Sequence, residues 1–273
     1  MKTVYIVQST FISIDWMLKF TRRFFESKTL FERVTGGVTE HTSSFKQKIF
    51  YNRVAKSLLL PLCAGRFETV DKDLIAGTPE ALKFLVESLN SGDINAVTPT
   101  LDERLLSRMQ TSGDFKDVWS LGRVQAVSLE KLQVVMGVLR GEDLKNKTVV
   151  PLFGQFFVLD NADASINELS MRQRLELLRK ELHAGVVVQG EVLVKVDQVI
   201  NGETHLSVDH LITMEAMIIP HPDVATEFRP VATPHSEPPS EGVTFEVTEW
   251  KIVDFNRVLD GNFPIDFNVS QDD

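Results

Sequence analysis

Residues 186–219 read VVVQGEVLVKVDQVINGETHLSVDHLITMEAMII. Asn201-Gly202 divides this stretch into two long strand patterns, and such a pair favours the type I′ turn, in which both central residues need φ > 0. The stretch therefore predicts a β-hairpin. On its second arm Leu206, Val208, Ile212, Met214, Ala216 and Ile218 share one parity, while His205, Ser207, Asp209, Thr213 and Glu215 share the other. Alternation of this kind predicts one buried face and one that is wet or turned to a partner.

Helices come first in the chain. Thr78-Pro79 makes a helix start, Leu82, Leu85, Val86 and Leu89 form its apolar face, and Gly92 follows its end. Thr100 with Glu103 reads as a capping box before Leu101, Leu105 and Met109. Strands are expected over 121–139 and 148–159. The second is apolar on both parities, as in a strand covered on each side, with a bend or bulge at Pro151 and Gly154. Between it and the hairpin, residues 165–183 predict a helix, with Ser165 and Glu168 as its capping box and Gly185 as its stop. Residues 220–242 hold six of the eleven prolines and read as a long loop. A last strand runs from Val243 to about Leu259. Phe245 and Val247 lie on one parity and Trp250 and Ile252 on the other, so a bulge is expected near Thr248. Helices followed by long antiparallel strands define an α+β class.

At 273 residues and 43% hydrophobic, the chain has enough apolar material for a buried core. A formal charge of −9 argues against DNA or other nucleic acid held by bulk attraction. The single cysteine, Cys63, excludes an intramolecular disulfide framework, and its apolar surroundings suit a small core residue. No apolar run approaches the ~20 residues of a membrane span.

The charge is unevenly placed. Residues 1–66 carry 11 Lys/Arg against four acids, a net +7, and the other 207 residues sum to −16. The expected organisation is a basic helical arm over 1–66, a body over 67–259 and a tail over 260–273. Within the arm, Trp16, Phe20 and Phe24 recur every fourth residue, bordered by Lys19, Arg22 and Arg23. Residues 45–62 repeat the scheme with Phe50, Val54 and Leu58 beside Lys46, Arg53 and Lys56. Two readings fit such helices. Their rings enter the headgroup boundary of an anionic bilayer while the cations meet phosphates, or they pack on the acidic body with the cations solvated. As a targeting signal the start of the chain is poor. Gln8, Ser9 and Thr10 interrupt the apolar core a secretory signal needs, and six basic and three acidic residues to position 36 make a mediocre mitochondrial presequence.

The segment Glu87-Ser88-Leu89-Asn90-Ser91-Gly92-Asp93-Ile94-Asn95-Ala96-Val97 resembles the opening of the nuclear-transport-factor-2-like cone fold, where a helix ends in a Gly-Asp turn and a highly curved antiparallel sheet wraps the helices. A narrower resemblance joins three features. The basic arm ends in Ser57-Leu58-Leu59-Leu60-Pro61-Leu62, a small helical pair follows Phe67, and the body closes on Thr248-Glu249-Trp250-Lys251-Ile252-Val253-Asp254-Phe255. This order over residues 45–259 looks like the mitochondrial group that contains the import-motor membrane anchor, a large-ribosomal-subunit protein of the exit-tunnel region and the m-AAA protease-interacting protein. The helix at 165–183 and the long proline loop depart from that group's pattern. The resemblance implies a non-enzymatic matrix protein, peripheral on the inner membrane. Its partners would be an AAA protease, a translocase or membrane-protein clients, together with anionic lipid. The alternative it implies is a structural protein of the mitochondrial ribosome.

Enzymes of the cone fold use a buried acid or histidine with a tyrosine or protonated acid for the oxyanion. Here both tyrosines, Tyr5 and Tyr51, lie in the arm, leaving Asp197, His205, Asp209 and His210 as the acid–base candidates on the hairpin. His205 and Asp209 share parity, whereas His205 and His210 do not. The six histidines form no i, i+4 pair, and Gly36-Gly37 lacks a phosphate-binding motif, so no metal, cofactor or catalytic residue is expected. Asn146-Lys147-Thr148 and Asn268-Val269-Ser270 match glycosylation sequons, which matter only in a secreted chain.

Overall fold

The computed structural model describes residues 29–38, 45–59, 67, 69–110, 115, 118–145, 147–160, 184–220 and 245–265. The expectations for Trp16, Lys19, Phe20, Arg22, Arg23, Phe24 and Cys63, for the helix at 165–183 and for the proline loop after Pro220 lie outside the described residues. The elements are α1 (Leu30–Thr35), α2 (Phe45–Leu59), α3 (Val70–Ser91), a 3-10 helix (Ile94–Thr100), α4 (Glu103–Gln110), β1 (Trp119–Met136), β2 (Lys147–Leu152), β3 (Gln155–Asp160), β4 (Val186–Ile200), β5 (Glu203–Pro220), β6 (Phe245–Val247) and β7 (Lys251–Phe255).

The class is α+β. Among the described residues the strands form one open seven-stranded sheet ordered β2-β3-β1-β4-β5-β6, with β7 also on β5. The expected hairpin is present, with Asn201 and Gly202 at φ 51° and 81°. One expectation is corrected: the sheet is mixed, because β3 runs parallel to β1 through Val135–Phe156 and Met136–Phe157. The reason is that 148–159 is not one bent strand but a tight hairpin, β2–β3, turning at Phe153-Gly154. Its inward residues (Val150, Leu152, Phe157, Leu159) join the main core, and its outward ones (Val149, Phe156, Val158) join a second cluster. That is why both parities are apolar.

Strands β1, β4 and β5 run 18, 15 and 18 residues. Register shifts between Leu121 and Val124, Val124 and Ala126, Leu129 and Lys131, and Val196 and Gln198 interrupt their pairing, and each such bulge bends and twists its strand. The inner face is lined by Val186, Val188, Val192, Val194, Ile212, Met214 and Ile218 and covered by α3 through Leu74, Leu82, Leu85 and Leu89. Gly190 permits this packing, since a Cβ there would sit 2.5 Å from Leu74 Cδ1.

Helix α3 begins at Val70, not at Thr78, and Pro79 lies inside it. Val70, Leu74 and Thr78 extend the buried stripe N-terminally. Burying Val70 and Leu74 is worth ~1.5–3 kcal/mol each, which offsets the ~3 kcal/mol of an interior proline. The helix ends at Gly92 in the left-handed region (φ 75°), as its sequence predicts. For α4 the cap is Asp102 rather than Thr100. Leu101 is extended and bridges to Ile252, which delays the helix start, and Asp102 Oδ1 accepts from Arg104 N (3.0 Å) and Leu105 N (3.4 Å). The same oxygen accepts from Asn262 Nδ2 at 3.0 Å. Asp102→Ala should therefore lower unfolding stability by ~1–2 kcal/mol in urea titrations, at the upper side of a lost cap.

The last strand is split. β6 and β7 both pair with β5, and between them Thr248 exchanges hydrogen bonds with Met217, its Oγ1 accepting from the amide at 2.9 Å. The break falls where the parity change predicted a bulge. Residues 260–265 are not a loose tail, because Asn262 and Ile265 are buried. Ile265 and Phe263 close the second cluster over Val135, Val138, Val158 and Val187 on the outer face of the sheet.

Candidate functional surface

The acid–base candidates separate. Register pairs Gln198 with His205 and Lys195 with Asp209 across the shift at Val196–Gln198. Directly opposed residues share a face, so the shift undoes the parity that put His205 beside Asp209. Asp209 instead lies 3.6 Å from Lys195 Nζ, and Asp197 Oδ1 accepts from Gln125 Nε2 (2.6 Å) and Ser207 N (3.1 Å). Leu206, expected inside, is 72% exposed, and Ser207 sits at φ 56°. The wet face fails at the other end of β5, where Thr213 and Glu215 are buried.

His210 is fully buried in a polar latch. Asn256 Oδ1 accepts from Leu211 N (2.9 Å), which leaves Asn256 Nδ2 to donate to His210 Nδ1 (2.9 Å) and to Val34 O (2.8 Å). Gln198 Oε1 must accept from the indole of Trp119 (2.8 Å), and it also meets His210 Nε2 at 2.9 Å. The imidazole is thus neutral with its proton on Nε2. Burial holds its pKa down, to about 4. Gln198 Nε2 donates to Thr35 O at 2.6 Å. These amides satisfy carbonyls at the end of α1, groups that a helix C-terminus leaves unpaired. The chain then leaves α1 through Gly37 (φ 67°), where a Cβ would be 2.6 Å from Asp209 O. Gly36-Gly37 is therefore a packing turn. His210 is walled in by Trp119, Phe255 and Asn256, all buried, so the geometry serves docking of α1 rather than proton transfer to a substrate.

A second buried network crosses the outer face. Arg140 pairs with Glu215 through Nε–Oε1 (2.5 Å) and Nη2–Oε2 (2.6 Å), and Gln189 Nε2 donates to Glu215 Oε2 at 2.8 Å. Arg140 Nη2 and Gln189 Nε2 also donate to Asn262 O, at 2.7 and 3.1 Å. Polar residues inside apolar strand runs (Gln189, Gln198, Glu215) were the sequence signal for both networks.

Helix α2 divides its side chains. One side faces the body: Ala55 and Leu59 are buried, Asn52 Oδ1 accepts from Leu132 N (2.7 Å), Lys48 pairs with Glu130 (2.6 Å) and Lys56 with Asp71 (2.9 Å). The other side faces out: Ile49 and Phe50 are 48% and 49% exposed, and Arg53 is exposed. Of the proposed lipid contacts in this helix, Arg53 stands outward and Lys56 is engaged with the body. Lys46 lies one turn before Phe50 in the same helix. Val54 and Leu58, expected on Phe50's face, are half-buried, with Leu58 packed on the core. Sequence reading missed Phe153, 48% exposed at the β2–β3 turn, with its ring 6.2 Å from that of Phe50. The signal was a residue followed by glycine between two apolar β runs.

Among the described residues no helix is long and apolar enough to cross a membrane, and no group of three His, Cys, Asp or Glu side chains could hold a metal ion. Compared with protein-family models, curated proteins and solved structures, the chain finds no match in any of the three.

Proposed function

We propose that this chain is a non-enzymatic mitochondrial adaptor, peripheral on the matrix face of the inner membrane, whose body has the cone architecture and meets an AAA protease, a translocase or membrane-protein clients. The basic arm holds it to anionic lipid. One observation carries the membrane part: α2 uses Lys48 and Lys56 to dock on body carboxylates and leaves Ile49, Phe50 and Arg53 outward. A helix that both docks and presents rings beside a cation suits an interfacial role. The chain beyond residue 66, at −16, makes ribosomal RNA a poor partner for anything but the arm.

The partner test is a pull-down of the tagged full chain from gently solubilised mitochondria, read by mass spectrometry. An AAA protease or translocase is the expected result. Ribosomal subunits that survive high salt would replace the adaptor reading with the structural one, and a chain found outside mitochondria would sink both. For the arm, Arg22→Glu/Arg23→Glu should weaken binding to anionic vesicles about thirtyfold, from ~1 kcal/mol for each cation near the surface, with the circular-dichroism spectrum unchanged.

A further inference from the structure

We infer that the Phe153-Gly154 turn of the β2–β3 hairpin, together with Ile49 and Phe50 of α2, is a rigid wedge that enters the headgroup boundary of an anionic bilayer. The inference rests on the membrane reading above and carries the contact from the arm into the body.

The backbone gives the first reason. Phe153 holds the first central position of a two-residue turn at φ 52°, with Gly154 at φ 77°. That position suits Asn, Asp or Gly, and a bulky side chain in the left-handed region is strained. A strained residue calls for a use, and folding gains little from this ring, since about half of it remains exposed.

The second reason is rigidity. The turn is clamped to α2: Gly154 lies against the Tyr51 ring so closely that a Cβ would be 2.6 Å from Cδ1, and Gln155 Nε2 donates to Tyr51 O at 3.2 Å. Gln155 is itself fully buried, with Oε1 accepting from Val134 N at 2.7 Å. Phe50 and Phe153 therefore project together, edge to face at 77°, from two elements that are locked to each other. Lipid insertion favours such preorganised rings, because little side-chain freedom remains to be lost.

Charge and size choose the occupant. Arg53 follows Phe50 by one turn and is exposed, while Lys48 and Lys56 neutralise Glu130 and Asp71 beside the helix. With those two carboxylates offset, Arg53 is an exposed cation beside the rings on a body that is otherwise strongly acidic, and it complements a lipid phosphate. Three protruding side chains fall far short of the ~800 Å² per partner of a stable protein interface, yet suffice for shallow insertion.

The test uses the full chain and phosphatidylcholine vesicles with or without cardiolipin. Phe153→Asn places a residue at home at φ > 0, so the thermal midpoint should rise by about 2–4 °C while binding to cardiolipin vesicles falls about tenfold. Phe50→Ser, on an exposed helix position, should lower binding by a similar factor and checks the result independently. Unchanged binding in both variants, alongside a loss in Arg22→Glu/Arg23→Glu, would overturn the wedge and leave the arm as anchor. A wild-type chain that binds neither vesicle would bring down the membrane reading with it. Unchanged vesicle binding with loss of a protein recovered by wild type would make the patch a protein contact and overturn the lipid assignment.

Discussion

Arg140→Ala should destabilise the fold by ~3–5 kcal/mol, the cost of leaving a buried carboxylate without its cation. Glu215 is only 5% exposed on its side chain and Arg140 18%, and the pair is bidentate. Removing the guanidinium also takes a donor from Asn262 O, so the segment that closes the outer cluster loses a tie to the sheet. Urea titration of the single variant should show a lower midpoint. Arg140→Met/Glu215→Met should recover much of the loss, because both charges leave together and apolar groups fill the space. A single variant within ~1 kcal/mol of wild type would show that Gln189 and solvent suffice to hold Glu215.

His210→Phe should reshape the dependence of stability on pH. In the unfolded chain His210 takes a proton near 6.5, but in the fold only near 4. Between these values the unfolded state binds more protons, so the histidine's contribution to stability is lost as pH falls, by ~3 kcal/mol from pH 7.5 to 4. Burial acts oppositely on Asp254. Its carboxyl is raised to about 6 although Phe255, Leu259 and Gly261 donate backbone N–H groups to it. A raised carboxyl makes the fold costlier above pH 6 and relieves that cost as pH falls toward 4, by ~2 kcal/mol. The two groups nearly cancel in the wild-type chain. Phe keeps the stacking on Phe255 but removes the titration, and it frees Asn256 Nδ2 and Gln198 Oε1 for their other partners. At pH 7.5 the variant should be less stable than wild type, and at pH 4 it should have regained ~3 kcal/mol relative to it. Guanidinium melts at the two pH values measure this, and a parallel offset at both would place the titration elsewhere.

Local chemistry was readable where the signal was short-ranged. Asn201-Gly202 had to turn because both residues accept φ > 0, Gly92 had to stop α3, and the parity change near Thr248 had to break the last strand. The order of helices before long strands, and hence the α+β class, followed from periodicity alone. The charge asymmetry was also plain.

Other features depend on what packs against what. No periodicity says that the outer face near Glu215 is covered, since the cover comes from Phe263 and Ile265, about fifty residues further along the chain. The start of α3 was misread because a good local proline signal competes with Val70 and Leu74, whose burial counts only once the sheet is beneath them. The faces of His205 and Asp209 were misassigned because one bulge residue reverses parity, and a bulge is a property of the strand pair. Lys56 and Arg53 are alike in sequence; a carboxylate on α3 binds the first, and the helix's orientation on β1 turns the second outward. Sequence thus determines conformation over a turn or two, where backbone sterics act. Which polar group is buried, and which ring is left to solvent, is decided by contacts between distant segments, where desolvation acts.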